Sequence, residues 1–316
     1  MENGMESNET NQRKKGWWCF LVLLLVGLME LGLHFYQRQD VVSEQDWQNV
    51  RTLVASWIQQ EDWLTFSPDW IEPVGRAQMG NALATVERIA APDETRFPRA
   101  IELSIRNHNR PELRSWKKVK EKRLGRITVR LFENPTPVSI LSDLVQEAKK
   151  GALLVSRVQS EHLASCPQVF QQVQTGGFTF GPAIAAQRWV CPGGSLVTVT
   201  VVPILDYRPR QCIYLFHLQE GASVRLIFPR ILFGRALHGH HGLYANAEHE
   251  QKGAPVKLSF SIGQSIVGQV THYDGDGWKG FEFDTQTWAA DRAELTVDIV
   301  SSINRDRMYC FEADTR

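Results

Sequence analysis

A run of apolar residues near the N-terminus, WWCFLVLLLVGLMELGLHFY from Trp17 to Tyr36, has no polar face. A helix of about 20 residues rises about 30 Å, enough to cross the hydrocarbon core of a bilayer. Three basic residues precede the run and one follows it, and positive charges favour the cytoplasmic side. The pattern predicts a single-pass anchor in the inner (plasma) membrane, with residues 1–16 as a cytoplasmic tail and the rest extracytoplasmic or periplasmic.

A cleaved signal peptide is the alternative interpretation, because the apolar run before Glu30 is short for a membrane span. No small-x-small cleavage site follows the run, which favours an uncleaved anchor. Glu30 and His34 lie one turn apart on the same helix face. Ionisable residues inside a span often contact a partner helix, although Glu30 also lies close enough to the outer interface to reach it.

Helical spacing returns after Ser43, where Trp47, Val50, Val54 and further apolar residues recur every three or four positions. Ser43 and Asp46 are typical of an N-terminal cap, although aspartate is a weaker partner than glutamate. Aromatic residues continue through DWLTFSPDWIEP, where prolines end any helix. Residues 37–75 are therefore predicted to be a helical and aromatic connector, whose tryptophans pack onto the following domain.

Short alternating segments rich in valine, isoleucine and threonine dominate the remaining chain and predict strands. They form two groups, residues 76–204 and 205–316, separated at LDYRPRQ. One helix, bracketed by Thr136 and Gly151, interrupts the first group. The predicted fold is mainly β: a transmembrane helix and a short helical segment, then two tandem antiparallel jelly-roll-like β-sandwiches.

Composition excludes one class of partner and suggests a compartment. The chain has 35 basic and 35 acidic residues, a balance that argues against nucleic-acid binding. Cys19 lies in the predicted anchor, and an even number of cysteines remains beyond it. Four thiols allow three pairings, and local context favours Cys166–Cys191 and Cys212–Cys310. No zinc-site spacing is present, so disulfides in an oxidising compartment are the preferred interpretation.

Metal-ligand residue types gather in HGHHG, which contains His238, His240 and His241, with Glu248 and His249 downstream. The spacing matches no zinc motif, so a mobile loop without metal is predicted. Asp274 and Asp276 alternate with glycines, as in calcium loops, but the remaining oxygen ligands are absent in register. Asp-Gly is also a strong hairpin signal. A turn is therefore the preferred interpretation of this second segment.

Catalytic motifs are absent from the sequence. There is no nucleophile elbow, no His-Glu-x-x-His pair and no phosphate-binding glycine loop. Scattered carboxylates form a glycosidase pair only if the fold brings them together; those considered are Glu102, Asp206, Glu282 and Asp284. The sequence thus favours a non-enzymatic protein and predicts no cofactor.

Two stretches, GAPVKLSFSIGQSIVGQVTHYDGDGWKGFEFDT and AELTVDIVSSINRDRMYCFEA, carry a resemblance to a known class. Their order of strands, glycine-bearing hairpin and tryptophan resembles the galactose-binding-like jelly rolls, which often serve as carbohydrate-binding modules. The likeness covers about residues 205–316. It implies ligand contacts from loops at one end or from a concave face, and the candidate positions, which no family motif fixes, are His240, Tyr244, His272, Asp276 and Trp278. A core position is the alternative for Trp278.

The resulting expectation is a membrane-anchored, extracytoplasmic, non-catalytic binding or accessory protein for cell-envelope glycan. The expected partners are the bilayer and a glycan or a membrane protein of glycan assembly. A glycan-acting hydrolase or transferase is one alternative. A structural partner of another membrane protein, contacted through Glu30 and His34, is the other. The whole chain also resembles membrane-anchored bacterial proteins, a likeness that implies no activity.

Overall fold

A computed structural model describes residues 6–39, 41–160, 162–172, 184–204, 206, 208–216, 221–250, 253–302 and 307–316. Residues 1–5 of the predicted tail, and residues 205 and 207 of the predicted joint, lie outside the described part. The described chain is mainly β, as predicted, and its strands form three sheets. Its α-helices are α1 (Glu6–Gln39), α2 (Glu44–Trp57), α3 (Glu72–Met79), α4 (Val86–Ile89), α5 (Leu144–Lys149) and α6 (Ala245–Glu250).

The predicted anchor lies within α1, where the described side chains between Trp17 and Phe35 are exposed. Within the described residues, no helix meets the combined length and apolarity that a bilayer crossing demands. The transmembrane assignment of residues 17–36 is therefore not supported, and neither is the bilayer as a partner.

A four-stranded sheet forms the first β unit, in the order β1-β2-β4-β3. Strands β1 and β2 are parallel, and the other neighbours are antiparallel. Strand β3 is an exposed, basic edge strand. The strands are β1 (Asp62–Ser67), β2 (Arg99–Ile105), β3 (Lys117–Leu124) and β4 (Ile127–Glu133).

Helix α2 packs on this sheet and belongs to the same core. The predicted cap at Ser43 is present, with reciprocal hydrogen bonds between Ser43 and Asp46. Trp47 and Val50 are buried in one cluster with Phe66 of β1. Residues 37–75 are therefore more than a connector, because they supply a helix and a sheet strand to the first unit.

The remaining strands build two larger sheets. One has the order β16-β13-β18-β11-β10-β9-β8, with β5 paired to β18, and the other has the order β15-β14-β17-β12-β6-β7. The first eight of these strands are β5 (Ser142–Asp143), β6 (Leu154–Gln159), β7 (His162–Ser165), β8 (Gln168–Phe170), β9 (Gln187–Val190), β10 (Leu196–Pro203), β11 (Pro209–Phe216) and β12 (Ala222–Leu232). The last six are β13 (Ala236–Leu243), β14 (Val256–Ile262), β15 (Ser265–His272), β16 (Lys279–Asp284), β17 (Arg292–Ser301) and β18 (Tyr309–Thr315).

Both larger sheets bury alternate side chains in one hydrophobic core. Leu226, Phe260 and Val297 come from the six-stranded sheet, and Ile213 and Phe311 come from the eight-stranded sheet. Successive strand residues point to opposite faces, so each strand also presents a second set of side chains away from this core. On the eight-stranded sheet, that outer face carries the polar residues described below.

The strand pairing does not divide the chain at residue 204. Strands β10 and β11 pair antiparallel over eight positions, from Leu196–Phe216 to Pro203–Pro209, across the predicted boundary. Strands β6 and β7 likewise join the sheet that contains β12 and β14. Residues 142–316 therefore form a single two-sheet unit. Tandem sandwiches are not observed, because the backbone hydrogen bonds of each sheet cross the predicted joint.

The helix predicted between Thr136 and Gly151 is present only at its end. Helix α5 begins at Leu144, because the Asp143 carboxylate accepts hydrogen bonds from the backbone of Val145 and Gln146. Asp143 itself still belongs to β5, which pairs with β18. The helix therefore starts where the sheet contact ends.

Both predicted disulfides are confirmed. Cys166 and Cys191 are bonded with Cα atoms 4.2 Å apart. Cys212 of β11 and Cys310 of β18 are bonded with Cα atoms 5.7 Å apart. The second bridge lies on the outer face of the eight-stranded sheet, within a cluster that also contains Tyr214.

Candidate functional site

The predicted histidine loop is a strand. His238, His240 and His241 lie on β13, which pairs with β18 on one side and β16 on the other. The glycines between them permit close packing: a Cβ at Gly239 would lie 2.3 Å from the carbonyl oxygen of Glu312 on β18. The loop prediction was wrong because HGHHG combines strand alternation with glycines required by neighbouring strands.

His241 points into the sandwich and begins a buried polar chain. His272 Nδ1 lies 3.2 Å from His241 Nδ1, and His272 Nε2 lies 2.7 Å from Glu248 Oε1. Glu248 also accepts hydrogen bonds from the backbone N–H groups of Leu243 and Gly275. His272 has no exposed surface. This chain ties the hairpin after β15 to helix α6, and it is closed to a ligand.

His238 and His240 point outward, toward the segment that precedes β2. His240 Nδ1 lies 2.8 Å from Glu312 Oε1, and His238 Nδ1 lies 3.7 Å from Asp93 Oδ2. Asp93 also accepts a hydrogen bond from the guanidinium of Arg316, at 3.0 Å. The outer face of β13 and β18 therefore contacts the first β unit through charged and imidazole groups.

Burial controls the protonation of these groups. Burial, reinforced by the carboxylates of Asp314, Asp93 and Asp143, raises the pKa of Glu312 well above its usual range. Burial also lowers the pKa of His240, so its imidazole stays neutral. A protonated Glu312 beside a neutral His240 satisfies their hydrogen bond without a buried charge pair.

Trp278 lies against the same outer face. Its ring stacks on His240 with centroids 5.5 Å apart and an interplanar angle of 8°. Its indole N–H donates to the carbonyl oxygen of Pro92 at 3.2 Å. Tyr244 packs beside it, against the cluster around the second disulfide. Asp276 closes the turn, accepting from the N–H of Tyr273 and from Lys279.

The five rim residues predicted from the jelly-roll resemblance are thus distributed over different surroundings. His240, Tyr244 and Trp278 lie together on the outer face, and Asp276 lies in the adjacent turn. His272 lies on the core side of the hairpin, away from solvent. Any role of these residues in ligand binding stays a prediction.

The four scattered carboxylates do not converge. Glu102 is buried in the first sheet, where it accepts hydrogen bonds from Arg130 and from the backbone of Arg110. Glu282 and Asp284 are exposed on the edge strand β16. Asp206 lies beside a different cleft, described next.

A cleft of about 520 Å³ lies between the first β unit and the start of β11. We call it the Trp70 cleft, and its relevant walls are Trp63, Phe66, Trp70, Arg110, Arg208 and Arg210. Trp70 is 63% exposed, although most large aromatic residues of the first unit are buried. Trp70 lies in a 3₁₀ turn, Asp69–Ile71, which begins directly after Pro68 at the end of β1.

Guanidinium groups from both units meet at this cleft. Arg208 of the second unit reaches Asp69 at 2.6 Å and Glu112 at 2.9 Å, both in the first unit. Arg110 reaches Asp69 at 2.6 Å and lies over the ring of Trp63. Burial and the charge of Arg208 lower the pKa of the Arg110 guanidinium. The aromatic residues around Trp70 are evident in the sequence, but no sequence pattern pairs them with Arg208.

A second, larger cleft of about 720 Å³ lies between the two units. Its walls include Arg96, Asp143, Gln211 and Glu312. Arg96 and Asp143 form an ion pair of 2.7 Å across it. Glu312 thus faces this cleft and also contacts His240. The edge strand β16 lies on the other side of β13 from Glu312.

Comparisons with known proteins place the chain in no family. No protein-family model matches it, and no curated protein matches it. Among solved structures, one similar chain contains the CBM51-2 carbohydrate-binding module with GlcNAc and the INT domain of Clostridium perfringens ZmpB. The alignment has 8% identity and a TM-score of 0.29, and covers 52% of this chain and 37% of that one.

A CBM51 module of Clostridium perfringens GH95 in complex with methyl-galactose aligns at 10% identity and a TM-score of 0.27, covering 48% of this chain and 92% of that one. Tandem CBM22 modules of Paenibacillus barcinonensis Xyn10C align at 15% identity and a TM-score of 0.24, covering 48% and 43%. The similar structures thus include carbohydrate-binding modules. These TM-scores are too low for the likeness to assign a function to this chain.

Proposed function

We propose that this protein is a non-catalytic glycan-binding protein of an extracytoplasmic compartment, and that it holds a sugar in the Trp70 cleft. The single observation that carries the proposal is the exposed indole of Trp70 in a cleft walled by arginines and carboxylates. Binding sites for small ligands combine an apolar surface with a few oriented polar groups. This arrangement meets both requirements.

The indole offers a flat surface to the C–H face of a pyranose ring. Exposure of an aromatic ring to water is unfavourable, and a ligand that stacks on the ring removes part of this free-energy cost. Pro68 and Pro73 flank Trp70 and also line the cleft. Proline fixes the backbone around the indole, so little conformational entropy is lost when a sugar stacks on it.

The polar walls suit hydroxyl groups better than a strongly charged ligand. Three guanidinium groups and three carboxylates line the cleft, so the formal charges of its walls balance; the groups are Arg110, Arg208, Arg210, Asp69, Glu72 and Asp206. Guanidinium groups only donate hydrogen bonds and carboxylates only accept them. A sugar hydroxyl does both. A neutral glycan is therefore the proposed ligand class.

The proposed compartment rests on the two disulfides, which persist in oxidising environments and are rare in reducing ones. Envelope glycan is a ligand available in such a compartment. The proposal does not depend on a membrane anchor.

The test is a glycan array of neutral and anionic oligosaccharides, followed by calorimetric titration of the oligosaccharide bound best. Trp70→Ala should weaken binding about 10–100-fold, as loss of a central aromatic contact does. Trp70→Phe should lose less, because a smaller stacking surface remains. Phe170→Ala is the matched control, since Phe170 is also highly exposed, at 74%, and lies outside the cleft.

Two results would contradict the proposal. One is the absence of binding by the wild-type chain to every oligosaccharide on the array. The other is binding that Trp70→Ala and Phe170→Ala leave equally strong. Preferential binding of anionic oligosaccharides would reject the neutral ligand class.

One observation favours a second candidate, a glycan-acting hydrolase. Glu312 and Asp143 line the larger cleft together, and Glu312 has a raised pKa, as a general acid requires. Incubation with the same oligosaccharides distinguishes this candidate. Turnover by the wild-type chain that is lost in Glu312→Gln would favour the hydrolase, and intact oligosaccharides would exclude it for that set.

A further inference from the structure

A cluster on the outer face of β13 has the chemistry of a metal site, separate from the Trp70 cleft. Asp93, His238 and His240 each offer one ligand atom, and these atoms lie within 4.8 Å of one another. His238 and His240 occupy positions i and i+2 of one strand, so both point to the same face. Asp93 reaches them from the first β unit. Two parts of the chain therefore build the cluster.

One ring nitrogen of His238 has no hydrogen-bond partner within the described residues. This atom, Nδ1, is buried. The nearest carboxylate oxygen, Asp93 Oδ2, lies at 3.7 Å, beyond hydrogen-bond distance. A buried nitrogen without a partner costs about 1–3 kcal/mol, and an ion is one of the groups that commonly completes such a site.

His240 is held in place for a similar role. Its Nδ1 atom lies 2.8 Å from Glu312 Oε1, and its ring stacks on Trp278. Imidazole ligands usually have one ring nitrogen bonded to a carboxylate while the other faces the metal. The contact with Glu312 thus fixes the ring before any ion binds.

The charged groups around the cluster also favour a bound cation. Four carboxylates and two guanidinium groups meet around the cluster: Asp93, Asp143, Glu312, Asp314, Arg96 and Arg316. Arg96 pairs with Asp143, so Asp93 and Asp314 share the single guanidinium of Arg316. Apart from Glu312, which is the hydrogen-bond partner of His240, three carboxylates face two guanidinium groups, and a cation offsets the remaining negative charge.

We infer that Asp93, His238 and His240 bind one divalent transition-metal ion. Two imidazoles and one carboxylate suit Zn²⁺ and its neighbours, whereas Ca²⁺ and Mg²⁺ prefer sites made of oxygen ligands. Zinc–nitrogen bonds of about 2.0–2.1 Å put tetrahedral ligand atoms about 3.4 Å apart, so the three atoms, now within 4.8 Å, need to approach one another by at most about 1.4 Å. The ion would join strand β13 to the segment before β2.

The experiment titrates Zn²⁺ into the metal-free full chain by calorimetry and records the visible absorption of bound Co²⁺. We expect one ion per chain and Co²⁺ bands typical of nitrogen and oxygen ligands. His238→Ala, His240→Ala and Asp93→Asn should each weaken Zn²⁺ binding at least about 10-fold. His108→Ala is the control, because His108 is exposed and lies outside the cluster.

Asp93→Asn keeps the side-chain volume and both imidazoles, so it remains informative if an alanine variant fails to fold. Near-ultraviolet circular dichroism establishes that each variant is folded. The inference is overturned if the wild-type chain binds no Zn²⁺ at micromolar protein concentration. It is equally overturned if folded Asp93→Asn binds as tightly as wild type, or if His108→Ala loses as much affinity as the cluster variants. These results are independent of glycan binding.

Discussion

Replacing Trp278 by alanine decides whether this residue is a structural contact or a free ligand platform. Its interactions include the hydrogen bond to Pro92, the stack on His240, and packing against the cluster around Cys212–Cys310. None of these requires a ligand. We therefore expect Trp278→Ala to destabilise the fold.

The magnitude follows from those interactions. The hydrogen bond contributes about 1 kcal/mol, and the ring pair contributes about 0.5–1.5 kcal/mol. Lost burial of a partly exposed indole adds about 1–2 kcal/mol. The expected loss is about 3 kcal/mol, or about 6–12 °C in melting temperature for a unit of about 150–250 residues.

Urea denaturation followed by circular dichroism measures the loss. Trp278→Phe keeps a ring to stack on His240 and should lose only about 1 kcal/mol, the value of the hydrogen bond. Trp70→Ala is the matched control, because its exposed indole should leave the free energy of unfolding within about 0.5 kcal/mol of wild type. A Trp278→Ala chain as stable as this control would refute the reasoning.

Three further predictions concern the free energy of unfolding, measured by urea denaturation. Replacing Cys212 and Cys310 together by serine should cost about 4–5 kcal/mol, because the bridge has a sequence separation of 98; a smaller loss than for the bridge with separation 25 would contradict the loop-entropy reasoning. Gly239→Ala should cost about 1–3 kcal/mol, since its Cβ would lie 2.3 Å from a backbone oxygen of β18, and unchanged stability would show that the strands can separate. Burial and the neighbouring His272 lower the pKa of His241 from 6.5 to about 3, so the unfolded chain takes up the proton first as pH falls. The free energy of unfolding should therefore be highest above about pH 6.5, fall by about 2 kcal/mol by about pH 5, and continue to fall toward pH 3. The His241→Gln variant should lack this part of the pH dependence. If the free energy of unfolding of wild type and His241→Gln falls equally with pH, the prediction is disproved.

Several features could be predicted from the sequence because they depend on local interactions. Ser43 and Asp46 are three residues apart and cap a helix through bonds that need no distant partner. The alternation of apolar residues identified most strands, because one face of each strand enters the core. The pairing of Cys212 with Cys310 was also predictable, since each cysteine interrupts an apolar strand segment and two such strands can lie side by side.

Other features depend on which strands become neighbours, and the tertiary structure alone decided them. HGHHG is a strand because β16 and β18 pack against its glycines. The proposed division at residue 204 failed because β10 and β11 pair across it. The Trp70 cleft joins residues far apart in the chain, with Arg208 reaching Asp69, a separation of 139 positions. The sequence shows the alternation and the cap because these arise from neighbouring residues, whereas pairing and cleft formation depend on backbone hydrogen bonds and charges that meet only after folding.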